Sequence, residues 1–179
     1  MQPSLGQLKY PIGKFSKPVS VSPVDISKWI NEIATLPGWL RKEVEPLSNS
    51  QLDTPYRPEG WTVRQVVHHL PDSHVNGYIR FKLALTEDNP AIKPYMEDRW
   101  AELPEAKTAP VKISLDLLDT IHQRWVLMLR SLTPEQWKRT FYHPERKREN
   151  RLDEVLAMYA WHGKHHLAHI TELKKRMGW

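Results

Sequence analysis

The chain of 179 residues reads as an all-α protein, a bundle of four long helices in one domain spanning residues 1–179. Two observations carry that expectation. Four segments repeat apolar residues at the three- and four-residue spacing of a helix facing a core. No segment shows convincing alternation of apolar and polar residues between hairpin turn signals, as a half-buried strand would. The length suits a single sizeable core without disulfides or a second domain.

The first long helix opens at Ser22-Pro23-Val24-Asp25. Serine can cap the free amides, proline is preset for the first helical position, and aspartate complements the dipole. Ile26, Ile30 and Ile33 follow at helical spacing, and Pro37-Gly38 is expected to interrupt the pattern before Trp39–Leu47 resumes it. The second long helix starts at Thr62, with Gln65 placed to complete a reciprocal capping box and Trp61 placed to staple onto Val66. It carries Val63, Val66, Val67, Leu70, Phe81 and Leu85. Pro71 deletes the hydrogen bond to the Val67 carbonyl, which predicts a kink.

Pro90, Pro94, Pro104 and Pro110 break residues 88–113 into a long crossover between the second and third long helices, with a short helix expected within Tyr95–Leu103. Such a connection serves either as a lid or interface element or as a plain span between distant bundle ends. The third long helix is expected over Ser114–Ser131, with Leu118, Ile121, Trp125, Leu129 and Leu132 on one face, and the fourth over Leu152–Met177. A faint internal echo links Leu47–Leu52 and Tyr56–Pro58 to Leu132–Trp137 and Tyr142–Pro144, each leading into a histidine-bearing helix.

Composition narrows the function. The chain has no cysteine, which excludes structural disulfides, thiolate ligands and a cysteine nucleophile, and fits a reducing compartment. No run of about 18 apolar residues could span a bilayer, and MQPSLGQLKYPIGKF lacks a signal-peptide core, so a cytoplasmic protein without membrane contact is expected. Lysine and arginine outnumber aspartate and glutamate by 26 to 21, but the clusters at 146–148 and 174–176 are short. That is a solvated mixed-charge surface and not a nucleic-acid footprint.

Six of the nine histidines fall in two places: His68 and His69 on the second long helix, and His162, His165, His166 and His169 on the fourth. Histidines four apart share a helix face and can grip one ion, the geometry that HExxH motifs exploit. Both His162/His166 and His165/His169 have that spacing, and helical phase separates them. With His162 at zero, Leu152, Val155, Tyr159, Ile170, Leu173 and Met177 lie between about 20° and 80°, and His166 lies at about 40°, within the apolar stripe. His169 and His165 fall at about −20° and −60°, at or beyond its edge. Burying His162 and His166 without partners is costly, and ligation to a metal accounts for both. A third ligand should come from the other histidine-bearing helix, where phase leaves His68, His69 and His74 open. His122 and His143, standing alone, read as ordinary surface or hydrogen-bonded core residues.

The segments GWTVRQVVHHLPDSH and YAWHGKHHLAHI together resemble the DinB/YfiT-like superfamily, and LKYPIGKF near the N-terminus is similar to its YfiT branch. That branch is described as metal-dependent hydrolases and includes bacillithiol S-transferases. The resemblance covers essentially the whole chain. It implies a DinB-like four-helix bundle, often a homodimer, holding one divalent ion per chain. It also implies the ligands: the histidine eight residues after the tryptophan of GWT, His69, and the WHxxxH pair, His162 and His166.

Three neutral imidazoles leave a coordination position open, as in catalytic zinc sites. Zinc is the first expectation and nickel the alternative, since both suit imidazole. Such a centre activates water for hydrolysis, or binds a small thiol for transfer to an electrophile, and without cysteine in the chain that thiol must be a cosubstrate. Asp72, one turn beyond His69, is the candidate to orient a ligand or accept a proton, and Tyr159 and Glu154 precede His162 on a compatible face. The alternative is a non-catalytic, metal-stabilised binding or stress-response module, which a fourth carboxylate ligand would favour.

Overall fold

The computed structural model describes residues 3–179. In chain order the elements are α1 (Leu5–Lys9), α2 (Pro23–Val44), α3 (Asn49–Leu52), α4 (Val63–Thr86), α5 (Glu97–Trp100), α6 (Pro104–Thr108), α7 (Val111–Arg130), α8 (Pro134–Trp137), β1 (Thr140–His143), β2 (Arg148–Arg151) and α9 (Leu152–Met177). The long helices α2, α4, α7 and α9 form a four-helix bundle in which α2 and α4 each pack on both α7 and α9. Consecutive long helices are therefore neighbours only between α4 and α7. The other two connections, residues 45–62 and 131–151, run diagonally. No helix among the described residues is long and apolar enough to cross a membrane.

The expected caps form. Ser22 with Asp25 and Thr62 with Gln65 both make reciprocal capping boxes. The internal echo has a structural counterpart, since Ser48/Gln51 and Thr133/Gln136 open α3 and α8 with the same device. Each short helix leads into a small β pairing, an isolated bridge between Pro55 and Thr62 in one case and the β1–β2 hairpin in the other, and then into α4 or α9.

Three expectations need correction. Pro37-Gly38 does not interrupt the first long helix, because α2 runs unbroken through Val44. Proline there leaves the Ile33 carbonyl without its helical amide, and the buried His122 Nδ1 supplies a hydrogen bond at 2.6 Å. Residues 140–151, given no strand from sequence, form an antiparallel hairpin whose strands are four residues each, too short to display a period. Finally, α7 begins at Val111, three residues before Ser114, and the crossover carries two short helices where one was expected.

The core divides along the bundle. One end packs Ile33, Phe81, Trp125, Leu129, Leu152 and Leu156, and the other packs Leu40, Val66, Leu70, Leu118 and Ile170. Histidines from α4 and α9 lie near the junction of these two clusters. Two glycines permit close helix approach there. A Cβ on Gly77 would sit 2.5 Å from the Tyr159 ring, and one on Gly163 would sit 2.4 Å from Leu36.

Candidate metal centre

His69, His162 and His166 converge, each offering one ring nitrogen within 4.8 Å of the other two. α4 and α9 pack directly and present these faces to each other. His69 and His166 are buried and His162 is half-buried. The Nε2 atoms of His69 and His162 approach to 3.3 Å, and the His166 ring meets both neighbours edge-on. Two imidazole nitrogens aimed at each other suit a shared cation better than a hydrogen bond. A tetrahedral ion about 2.0–2.1 Å from each nitrogen spaces its ligands at about 3.3 Å. The donor set therefore fits a divalent ion.

Electrostatics favour the ligating form. Burial pushes the His69 imidazole down to about 4. His162 and His166 are held well below the ordinary value, first by burial and then by the neighbouring imidazoles. All three are neutral at physiological pH, with a lone pair available for a metal.

The remaining histidines divide by partner. His68, one residue from His69, turns away: its Nδ1 meets Ser114 Oγ at 2.6 Å and its Nε2 meets the Ala109 carbonyl at 3.2 Å. His74 lies behind His162, with Nε2 3.2 Å from His162 Nδ1 and Nδ1 2.8 Å from His122 Nε2. His165 and His169, placed by phase at or beyond the edge of the core stripe, are buried as well. The phase rule counts only bundle packing, and here the chain outside the long helices covers them. Tyr10 lies against His165, Tyr56 stacks on His169 at 3.9 Å, and the Lys9 carbonyl meets His169 Nε2.

The three imidazoles open onto a cleft of about 1010 Å³. Trp61 forms one wall, its ring 4.7 Å from His69. Tyr159 forms another, with Arg80 Nη1 donating to its hydroxyl at 3.4 Å. Burial raises the Tyr159 phenol above its usual range, so it stays protonated. The crossover contributes residues 94–99 to the rim, so it is part of the site and not a plain span.

Asp72 is not brought to the cluster. It is absent from the cleft wall, and burial, then Glu105 of the crossover, pushes its carboxyl up to about 6. Rotation explains this: Asp72 stands about −60° from His69, while Ser73 and Arg80 stand about +40° and +20° and do line the cleft. Those offsets of four and eleven residues were the available signal for Ser73 and Arg80. Glu154 also faces away, paired with Lys17 at 2.9 Å. Tyr95, His143 and Arg146, which sequence reasoning did not assign to the site, reach it from the crossover and the hairpin.

Comparison with known proteins agrees with this architecture. The chain is 55% identical over 172 residues to a Bacillus subtilis protein named "Putative metal-dependent hydrolase YfiT", covering 96% of this chain and 97% of that one. A Bacillus cereus (strain 03BB102) protein named "Putative metal-dependent hydrolase" is 54% identical over 175 residues, covering 98% and 100% respectively. The solved structure of YfiT from Bacillus subtilis, described as an unusual four-helix bundle topology, superposes with a TM-score of 0.95 at 54% identity, covering 97% of this chain and 99% of that one. Residues 34–170, which span all of α4, α7 and α9 as far as Ile170, match the model of the DinB superfamily, and the chain belongs to that superfamily.

Proposed function

We propose that this chain is a metal-dependent enzyme in which His69, His162 and His166 hold one divalent ion, zinc first and nickel as the alternative, to activate a small nucleophile in the cleft. The observation that carries this is the composition of the cluster. Three imidazoles face one another, and no aspartate or glutamate joins them among the described residues. Such a set leaves a position open for water or substrate. The closed, structural alternative needed a fourth carboxylate, and none joins the cluster among the described residues.

The same observation favours transfer of a low-molecular-weight thiol, bacillithiol being the example drawn from the family, over hydrolysis. When bound, the ion supplies Lewis acidity, lowering the pKa of a thiol or water at the open position. A thiol starts near 8.5 and ionises there without help, losing its proton to solvent. Its sulfur then forms a bond to the electrophile's carbon as the leaving group departs with the bond pair. Attack by water, in contrast, is commonly assisted by a carboxylate base such as that of HExxH enzymes, and the carboxylates of this cleft, Glu59, Glu97, Asp98 and Glu145, line its wall outside the imidazole cluster. In this cleft Tyr159 accepts from Arg80 and keeps its own proton to donate to a leaving group or anionic substituent. Trp61 packs on His69 and holds the ring in place. Hydrolysis is the second reading, favoured by the names of the relatives.

Metal-loaded protein incubated with a low-molecular-weight thiol and an alkylating electrophile, then analysed by mass spectrometry, tests the proposal. A conjugate that requires both protein and metal is expected. Metal-dependent turnover of esters or amides without thiol would replace transfer by hydrolysis, and no turnover of either kind would overturn the enzymatic reading.

A further inference from the structure

Behind the candidate ligands a line of imidazoles ends on a backbone carbonyl. His162 Nδ1 lies 3.2 Å from His74 Nε2, His74 Nδ1 lies 2.8 Å from His122 Nε2, and His122 Nδ1 lies 2.6 Å from the Ile33 carbonyl oxygen. Helices α9, α4, α7 and α2 contribute one group each, so the line crosses the whole bundle. His74 and His122 are 0% and 1% exposed, which leaves no room for solvent to re-order it.

The carbonyl sets a direction. An oxygen of this kind only accepts, so His122 Nδ1 carries the hydrogen. A neutral imidazole has one N–H and one lone pair, so His122 Nε2 is an acceptor. His74 must then donate from Nδ1 and accept at Nε2, and His162 must donate from Nδ1. That leaves the lone pair of His162 on Nε2, the atom 3.3 Å from His69 Nε2. Pro37 makes the line possible, because it has no amide to offer the Ile33 carbonyl four residues earlier.

We infer that His74 and His122 are positioning residues that lock His162 into the Nδ1–H tautomer and aim its Nε2 lone pair at the metal site, with the Ile33 carbonyl as anchor. The inference rests on the metal-centre reading for its purpose but not for its geometry. Ligating histidines are commonly oriented by a single carboxylate or carbonyl. Here the orienting carbonyl acts through two further rings.

Two near-isosteric substitutions separate this from simple packing. His122→Gln keeps an oxygen able to accept from His74, and His122→Met fills the space without one. In competition with a chromogenic chelator for zinc, His122→Gln should bind within about 3-fold of wild type and His122→Met should bind about 10- to 100-fold more weakly. Long-range 1H–15N correlation spectra of the metal-free wild-type protein should show His162, His74 and His122 all as Nδ1–H tautomers, and His122→Met should shift His162 toward a mixture. Equal losses in the two variants, or a His162 Nε2–H tautomer in the wild-type chain, would overturn the inference. The spectra decide it even if His122→Met fails to fold. A wild-type chain that binds no zinc would count against the metal centre, while its tautomers would still decide the relay.

Discussion

His68 and His69 are adjacent in sequence and about 100° apart around α4, and that rotation separates their chemistry. His69 faces the other two imidazoles, and His68 bridges Ser114 and the Ala109 carbonyl at the start of α7. His69→Ala is therefore expected to abolish stoichiometric metal binding, as are His162→Ala and His166→Ala. His68→Ala should leave metal content intact and cost about 1–3 kcal/mol of stability through the lost buried hydrogen bonds. Metal analysis of the purified variants with urea unfolding checks both halves, and full metal content in His69→Ala would refute the assignment. At this scale sequence reaches part of the site. His162 and His166 follow from spacing and phase on one helix. The choice of His69 over His68 and His74 did not, because phase alone left all three open and the proline at 71 separates His74 from the other two. The contact of His74 with His122 joins residues 48 apart on different helices, and only the helix pairing reveals it.

At the level of elements, the close approach of α4 to α9 depends on Gly77. A methyl group there would lie 2.5 Å from the Tyr159 ring and 2.8 Å from Trp125, both fully buried. Alanine is the better helix former by about 0.5–1 kcal/mol, so an exposed site would gain from the change. Here overpacking outweighs propensity, and Gly77→Ala is expected to destabilise by about 1–3 kcal/mol and to displace Tyr159 from the cleft wall. Thermal unfolding followed by near-ultraviolet circular dichroism, which reports the aromatic cluster, would detect both, and an unchanged or higher Tm would refute it. The four long helices were legible because each carries an apolar stripe and two of them open on a side-chain cap, of which Thr62–Gln65 formed the box that its residues specify. Other features escaped for physical reasons. The β1–β2 hairpin is too short for periodicity, and the tolerance of α2 for Pro37 depends on a hydrogen bond from another helix. Likewise the burial of His165 and His169 is imposed by chain outside the bundle.

For the molecule as a whole, the histidine-rich interior makes stability depend on pH. Burial, as the main cause, lowers His69, His122, His165 and His169 to about 4, and it holds His74, His162 and His166 below their ordinary value. In the unfolded chain these rings take up protons from about pH 6.5 downward. Between about pH 6.5 and 4 the unfolded state therefore binds more protons than the native state, and stability falls as pH falls. Each such group contributes a slope of about 1.4 kcal/mol per pH unit, so the four lowered to about 4 together reach about 5–6 kcal/mol per unit, comparable with the total stability of an ordinary domain. Asp72 acts in the opposite sense, since its folded-state value of about 6 exceeds the unfolded one, but it is a single half-buried group. The metal-free protein is thus expected to unfold cooperatively on acidification between pH 6.5 and 4, with urea midpoints falling steadily across that window. Saturating divalent metal should move the acid transition to lower pH, because it binds only the neutral imidazoles of the native state. Far-ultraviolet circular dichroism and tryptophan fluorescence, titrated with and without metal, measure both effects. Urea midpoints that stay level from pH 7 to 4.5 would show that the buried imidazoles do not govern the stability of this bundle.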